Sequence, residues 1–285
     1  MKKSIILLLF TVFALCGSEV TVTRLAFDST PEGKKRYFSQ PHTWWGKGRF
    51  PVKADEKGEI ITLTNNRTRY VFFIFGKVAK DGTWTPEIGM IKPSKANWAT
   101  GGFLNFSTGK IGMKKCNVKV SDAEKGGFTL NFTAQGYQAS CRIELKKDDN
   151  RLYVLFDAPV STMVDFITYP SSYGVNYTAG KALRKRYAVT NTRRIESGNN
   201  LPLSKKETFV FLADSYFDPA QNRGEGPCGI IFDARKCAGR VSVQNYACLL
   251  RFTGKGKMPF VLLDFNGVSN AEGEKYMKEL PVNFL

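Results

Sequence analysis

Apolar and polar side chains alternate with a period of two along much of this chain. Phe128, Leu130 and Phe132 alternate with Thr129, Asn131 and Thr133, and Cys141, Ile143 and Leu145 alternate with Arg142, Glu144 and Lys146. Each pattern predicts a strand with one wet face, because successive side chains on an extended backbone point to opposite sides. Other runs are apolar on both sides, as at 70–75, 152–156, 209–212 and 260–263. These read as central strands, or as strands covered on both faces by a second layer and by loops.

Turn chemistry separates the runs: Glu56-Lys57-Gly58, Lys80-Asp81-Gly82, Lys125-Gly126-Gly127, Asp148-Asp149-Asn150, Ser197-Gly198-Asn199-Asn200, Gly254-Lys255-Gly256 and Asn266-Gly267. Asp148 to Asn150, between two strand patterns, is the clearest hairpin signal. Helix signals are few. Tyr177 to Tyr187 carries Gly180 inside it, and Glu272 to Leu280 offers two turns before Pro281 stops them. Neither supports a βαβ architecture. Roughly thirteen to sixteen strand-like segments at this spacing predict an all-β fold. The expectation is a large antiparallel β-sandwich, jelly-roll or super-sandwich-like, with one or two short helices, since each one-faced sheet must bury its apolar side on another. A single domain over 19–285 is the simplest division; the alternative is two β domains split near 170–200.

The N-terminus changes the setting. Met1-Lys2-Lys3, the apolar run from Ile5 to Phe10 continuing to Leu15, and the small-residue exit Cys16-Gly17-Ser18 read as a signal peptide over 1–18. The apolar stretch is about ten residues, short of the ~20 that span a bilayer, and no later segment matches it, so no transmembrane segment is expected. The chain is read as secreted or periplasmic. The alternative is a lipid anchor through Cys16, against which Leu15 stands where a small residue is expected.

The formal net charge of +17 attracts polyanions through the summed surface field. For an exported protein this points to acidic glycans or other anionic extracellular polymers and disfavours nucleic acid. The basic residues are dispersed as doublets, for which solvated loops are the plainer account. Beyond Cys16 the chain holds Cys116, Cys141, Cys228, Cys237 and Cys248. An oxidising compartment permits pairing, so Cys116–Cys141 and Cys228–Cys237 bridges are expected, with Cys248 buried as a small hydrophobe. There is no CxxC pair and His42 is the sole histidine, so neither a metal nor a cofactor is expected.

Three segments could carry chemistry. In Gln40 to Arg49, Trp44 and Trp45 point in opposite directions, so one ring can line a groove while the other enters the core. From Asp214 to Pro227, Asp214, Asp218 and Glu225 supply carboxylates for general acid/base work, and Asn222 and Arg223 supply polar contacts; a turn-capping loop is the plainer account. From Asp165 to Tyr177, Tyr169, Tyr173 and Tyr177 offer rings for sugar faces, followed by the cations Lys181, Arg184 and Arg186. There is no GxSxG elbow and no phosphate loop. The leading expectation is an exported protein binding a polysaccharide or another anionic extracellular polymer. The alternatives are a glycoside hydrolase or polysaccharide lyase using Asp214, Asp218 and Glu225, and a structural envelope or protein-interaction module.

Overall fold

The computed structural model describes residues 19–39, 50, 52–80, 83–91, 104–124, 126–168, 186–215, 217–221, 226–244, 247–265 and 267–280. Strands dominate and every pairing is antiparallel. In chain order they are β1 (Thr21–Asp28), β2 (Lys57–Thr64), β3 (Arg69–Val78), β4 (Trp84–Ile91), β5 (Leu104–Ser107), β6 (Asn117–Glu124), β7 (Gly127–Ala134), β8 (Tyr137–Leu145), β9 (Leu152–Thr168), β10 (Arg186–Val189), β11 (Arg194–Glu196), β12 (Asn200–Pro202), β13 (Phe209–Asp214), β14 (Cys228–Phe232), β15 (Cys237–Val243) and β16 (Cys248–Asp264). Two short α-helices accompany them, α1 (Pro31–Phe38) and α2 (Asn270–Glu279). The strands join in one large sheet ordered β1-β2-β3-β4-β6-β7-β8-β9-β16-β14-β13-β10-β11, with β5 on β9, β15 on β16 and β12 on β15.

The sheet turns on its two longest strands. β9 and β16 have 17 residues each and pair along their length. The first half of β9 also pairs with β8 and its second half with β5; the first half of β16 pairs with β15 and its second half with β14. Between the halves the register breaks. Gly254 opposes Thr162 and Gly256 opposes Ala158, so Pro159, Val160 and Ser161 face Lys255 alone. Such a bulge bends the ribbon. Gly254 is required there, since a Cβ would lie 2.5 Å from the Lys236 carbonyl oxygen, and Gly256 adopts φ +73°. A straight strand would hold Phe252 and Phe260 ~27 Å apart. Their ring centroids are 5.0 Å apart. The ribbon therefore folds back on itself.

The rest of the sheet curls with it. β3 and β7 are three places apart in the sheet, ~14 Å if it were flat, yet the Phe72 and Phe128 rings meet at 5.0 Å. The enclosed core takes the inward residues of most strands, among them Phe72, Phe128, Phe156, Leu212, Phe232 and Phe260. The doubly apolar runs have a second face to bury. Val71, Phe73 and Phe75 of β3 pack with Tyr37 of α1, and Phe211 of β13 with Val261 and Leu263 of β16 packs with Met277 of α2.

Eight residues cannot hold a helix alone in water, and α1 is fixed by its buried Tyr37 and its cap, in which Thr30 Oγ1 accepts from Gly33 N at 3.1 Å with Pro31 in the first turn. α2 starts with a capping box: Ser269 Oγ accepts from Glu272 N, and Glu272 Oε2 accepts from Ser269 N. It occupies the segment where the sequence predicts two C-terminal turns; the Tyr177–Tyr187 helix signal falls outside the described residues but for Arg186 and Tyr187, which lie in β10. No helix among the described residues is long and apolar enough to cross a membrane.

The expected disulfides are not formed. All five cysteines are buried and free. Strand register explains this, because Cys141 lies opposite Leu130 and Phe156, Cys228 opposite Leu212 and Asp264, and Cys237 opposite Gly254. No cysteine meets another across a ladder. Cys116 Sγ donates instead to Gly112 O, Cys237 Sγ to Asp233 O, and Cys228 Sγ lies 3.0 Å from Thr168 Oγ1. Burial pushes the Cys237 thiol up to about 12 and Cys248 up to about 11, and raises Cys116, Cys141 and Cys228 as well. Cys248 is the buried small hydrophobe expected of it. In non-reducing buffer these thiols are expected to resist iodoacetamide in the folded protein and to react fully in denaturant without reductant, as read by mass spectrometry. A pair that alkylates only after reduction would contradict the assignment.

Candidate functional site

Helices cover two outer faces of the sheet, and among the described residues no element covers the others. One runs over β5, the second half of β9, the first half of β16, β15 and β12. Its polar groups satisfy each other: Arg251 donates through Nε and Nη2 to the Asp165 carboxylate at 2.8 and 2.9 Å, and Arg240 donates to Asn200. Another runs over β6, β7, β8 and the first half of β9, and it is different.

On this face the outward residues are Lys119 and Ser121 of β6, Thr129, Asn131 and Thr133 of β7, Gln138, Ser140, Arg142 and Glu144 of β8, and Tyr153, Leu155 and Asp157 of β9, the alternates of the core residues. Register aligns them in rows. Lys119, Asn131, Ser140 and Asp157 form one row, and Thr133 stands beside Gln138. Asn131 Nδ2 donates to Ser121 Oγ at 2.8 Å, and Arg142 Nε to Glu144 Oε1 at 2.9 Å. The side chains of Thr133, Gln138, Ser140 and Asp157 have no hydrogen bond or ion pair among the described residues. Together with Asn131 and Pro159 they line a groove of about 500 Å³. Two hydroxyls, an amide and a carboxylate thus point outward from a rigid ladder with their bonding capacity unused.

The residues singled out in the sequence are placed otherwise. Asp214, at the end of β13, lies opposite Arg186, at the start of β10, with Arg186 Nε 3.5 Å from Asp214 Oδ2 and both side chains essentially inaccessible. Arg186 is therefore a core cation beside a core carboxylate rather than a surface attractor. The Asp214 carbonyl accepts from Asn270 Nδ2 at 2.9 Å, which ties this strand end to α2. Asp218 is half-buried, and its Oδ1 accepts from Ala220 N at 3.0 Å and Gln221 N at 3.4 Å, closing the 3-10 turn Pro219–Gln221. That is the turn-capping use of the loop. Trp44, Trp45, Tyr169, Tyr173, Tyr177, Lys181, Arg184, Asn222, Arg223 and Glu225, with His42, lie outside the described residues. Among the described residues no group of three or more His, Cys, Asp or Glu could hold a metal.

Comparison with known proteins adds little. No protein-family model matches the chain, and no curated protein does. Among solved structures it is similar to the crystal structure of 4-alpha-glucanotransferase from Thermococcus litoralis, at 9% identity and a TM-score of 0.30, over 72% of this chain and 37% of that one. The chain thus spans little more than a third of the protein it matches, and likeness at this level carries no argument.

A carboxylate missed in the sequence reading is Glu207. Fully buried, it accepts from Thr190 Oγ1 at 2.7 Å, Thr192 Oγ1 at 3.0 Å, Arg193 Nε at 2.9 Å and Ser204 N, so it pins two turns together. Burial opposes its ionisation, but these donors outweigh that and hold the carboxyl at about 2. The sign follows: a depressed folded-state value stabilises above the unfolded carboxylate range and is lost as pH falls through it. Stability measured by urea unfolding is expected to fall between about pH 4.5 and pH 2, and Glu207→Gln is expected to flatten that limb. An unchanged slope in the variant would reject the assignment.

Removing one partner of a buried ion pair typically costs ~3–5 kcal/mol, because the other charge stays behind. Asp214→Ala is accordingly expected to lower the unfolding free energy by an amount of that order. A loss below about 1 kcal/mol would mean that Asp214 carries no structural weight.

Proposed function

We propose that this chain is an exported carbohydrate-binding protein, holding a polysaccharide chain against the open face of β7, β8 and β9. The observation that carries the reading is the groove of Thr133, Gln138, Ser140 and Asp157, whose polar groups have no partner among the described residues. Sugar hydroxyls both donate and accept, and this set offers both: the Gln138 amide and the Ser140 and Thr133 hydroxyls do either, while Asp157 accepts. The backbone ladder beneath fixes the spacing of the attachment points, leaving only side-chain ordering, ~0.5–1.5 kcal/mol per rotamer-rich side chain, to oppose binding. Leu155, on the same side of β9 between Asp157 and Tyr153, gives the chain an apolar patch to lie on.

The export pattern at 1–18 supports an extracellular polymer as ligand. The core that runs from Ile61 to Leu262 supports a single domain over 19–285, and the folded-back ribbon supports the two-layered sandwich. An enzyme acting on carbohydrate is the second reading, and the name of the solved structure above agrees with it without adding weight. Its proposed carboxylates are less suited to it than the groove is to binding, since Asp214 is buried against Arg186 and Asp218 caps a turn.

Affinity electrophoresis against a panel of neutral and acidic polysaccharides tests the reading. The double variant Gln138→Ala/Asp157→Ala is expected to weaken retention about tenfold or more, from ~0.5–1.5 kcal/mol per lost hydrogen bond, with an unchanged melting temperature. No retention of the wild type by any polymer, or equal retention of the variant, would overturn it.

A further inference from the structure

Along β9 the outward side chains run from Asp157 in the groove through Leu155 to Tyr153, ~13 Å further on, at the end of the strand nearest the β8–β9 turn. The chemistry changes there. Lys146 Nζ sits 3.8 Å from the centroid of the Tyr153 ring, and the Arg151 guanidinium lies 6.0 Å from the same centroid. The Tyr153 hydroxyl donates to Asp149 Oδ2 at 2.9 Å, and Arg151 Nε donates to both Asp149 oxygens, at 2.6 and 2.8 Å. Burial raises the Tyr153 phenol, the hydrogen bond to Asp149 adds to it, and the group stands at about 12, so the ring is neutral across the ordinary pH range.

The turn that carries Lys146 is fixed from behind. Asn65 Nδ2 donates to the carbonyls of Lys146 and Asp149, both at 2.6 Å, and the Tyr70 hydroxyl donates to Asn150 O at 2.7 Å. Lys146 is exposed, and it has no carboxylate within ion-pair distance among the described residues. Three nearby acids are engaged, Glu144 with Arg142, Asp149 with Arg151 and Asp148 with the Asn66 amide, while Glu19 borders Lys146 without an ion pair to it. Lys146 and Lys147 also line a recess of about 460 Å³ with Glu19, Val20 and Glu144. Tyr276 of α2 is 43% exposed and packs edge-on against Phe265, in the helix-covered cluster that Tyr153 also joins.

Most exposed lysines are mobile, and their charge is hydrated. This one is held over a ring, on a backbone locked by Asn65, and no described carboxylate forms an ion pair with it. We infer that Lys146, positioned by the Tyr153 ring, forms an anionic subsite at one end of the glycan-binding face, selecting polymers whose sugars bear a carboxylate or a sulfate. The inference rests on the carbohydrate-binding reading and names the class of glycan it takes. An anion here gains a charge-assisted hydrogen bond from Lys146. Tyr153 is a positioning residue: it touches the ammonium rather than the ligand.

The test uses the full chain with dextran, carboxymethyl-dextran and dextran sulfate as matched probes, alongside the neutral polymer that the wild type retains best. Because the chain is strongly basic, each variant is compared with a charge-matched control, Lys205→Met, far from this face in sequence and exposed. Lys146→Met is expected to cut affinity for the anionic dextrans about tenfold and to leave neutral-polymer binding intact, while Lys205→Met stays near wild type. Tyr153→Phe, which keeps the ring, is expected to retain the preference that Tyr153→Leu loses. Greater loss on carboxymethyl-dextran than on dextran sulfate would assign a carboxylate, and the reverse a sulfate. Equal effects of Lys146→Met and Lys205→Met would overturn the subsite while leaving the groove reading standing. Loss of neutral-polymer binding in the groove variant alone bears on that reading and not on Lys146.

Discussion

The fold-back of the β9–β16 ribbon is the constraint on which the rest of the structure depends. One bulge, where Lys255 opposes three residues, converts two long strands into four short ones that share a core. β5 and β15 take their edges from one half, and β8 and β14 from the other. Without the bend Phe252 could not reach Phe260, and the inward side chains of the two halves would face solvent. The bend also decides which surfaces need covers. β3 in one region, and β13, β14 and the second half of β16 in another, are apolar on their outer side as well, and each recruits a short capped helix. The face of β6 to β9 has polar alternates and no helix over it among the described residues.

Much of this architecture was legible in the chain. Phe128, Leu130 and Phe132, and Cys141, Ile143 and Leu145, point inward as their alternation implies. The hairpin at Asp148 to Asn150 is present, with Asp148 in the left-handed region at φ +57°. The doubly apolar runs at 70–75, 209–212 and 260–263 predict central strands or strands covered on both faces, and they lie between the core and a helix, whereas 152–156 buries only alternate residues fully. Gly254-Lys255-Gly256 misled: two glycines with a lysine look like a turn between strands, but β16 passes through them and they serve the bulge. α1 shows little apolar periodicity, since half of its eight residues are charged; Thr30, Pro31 and Glu32 are its signal, a cap, a first-turn proline and a first-turn acid.

The candidate site was less legible, for a physical reason. Thr133, Gln138, Ser140 and Asp157 are ordinary wet-face residues, and only register shows that Asn131, Ser140 and Asp157 share a row. Register depends on turn geometry and on pairing between strands, neither of which a polar side chain announces. Dense carboxylates drew attention to Asp214 and Asp218 instead, where sequence cannot distinguish a solvent-facing acid from one spent on an arginine or a turn. Cysteine count misled in the same way: five thiols suggest bridges, but ladder register keeps those on strands from meeting.

The pairing of β9 with β16 joins residues 152–168 to residues 248–264, across nearly a third of the chain. The middle of the sheet therefore cannot close until almost the last strand has been synthesised. Contacts this distant in sequence make assembly slow, and they leave the emerging polypeptide without its own centre for most of its birth. A chain built this way takes its final shape only once residues 248–264 are free to meet 152–168.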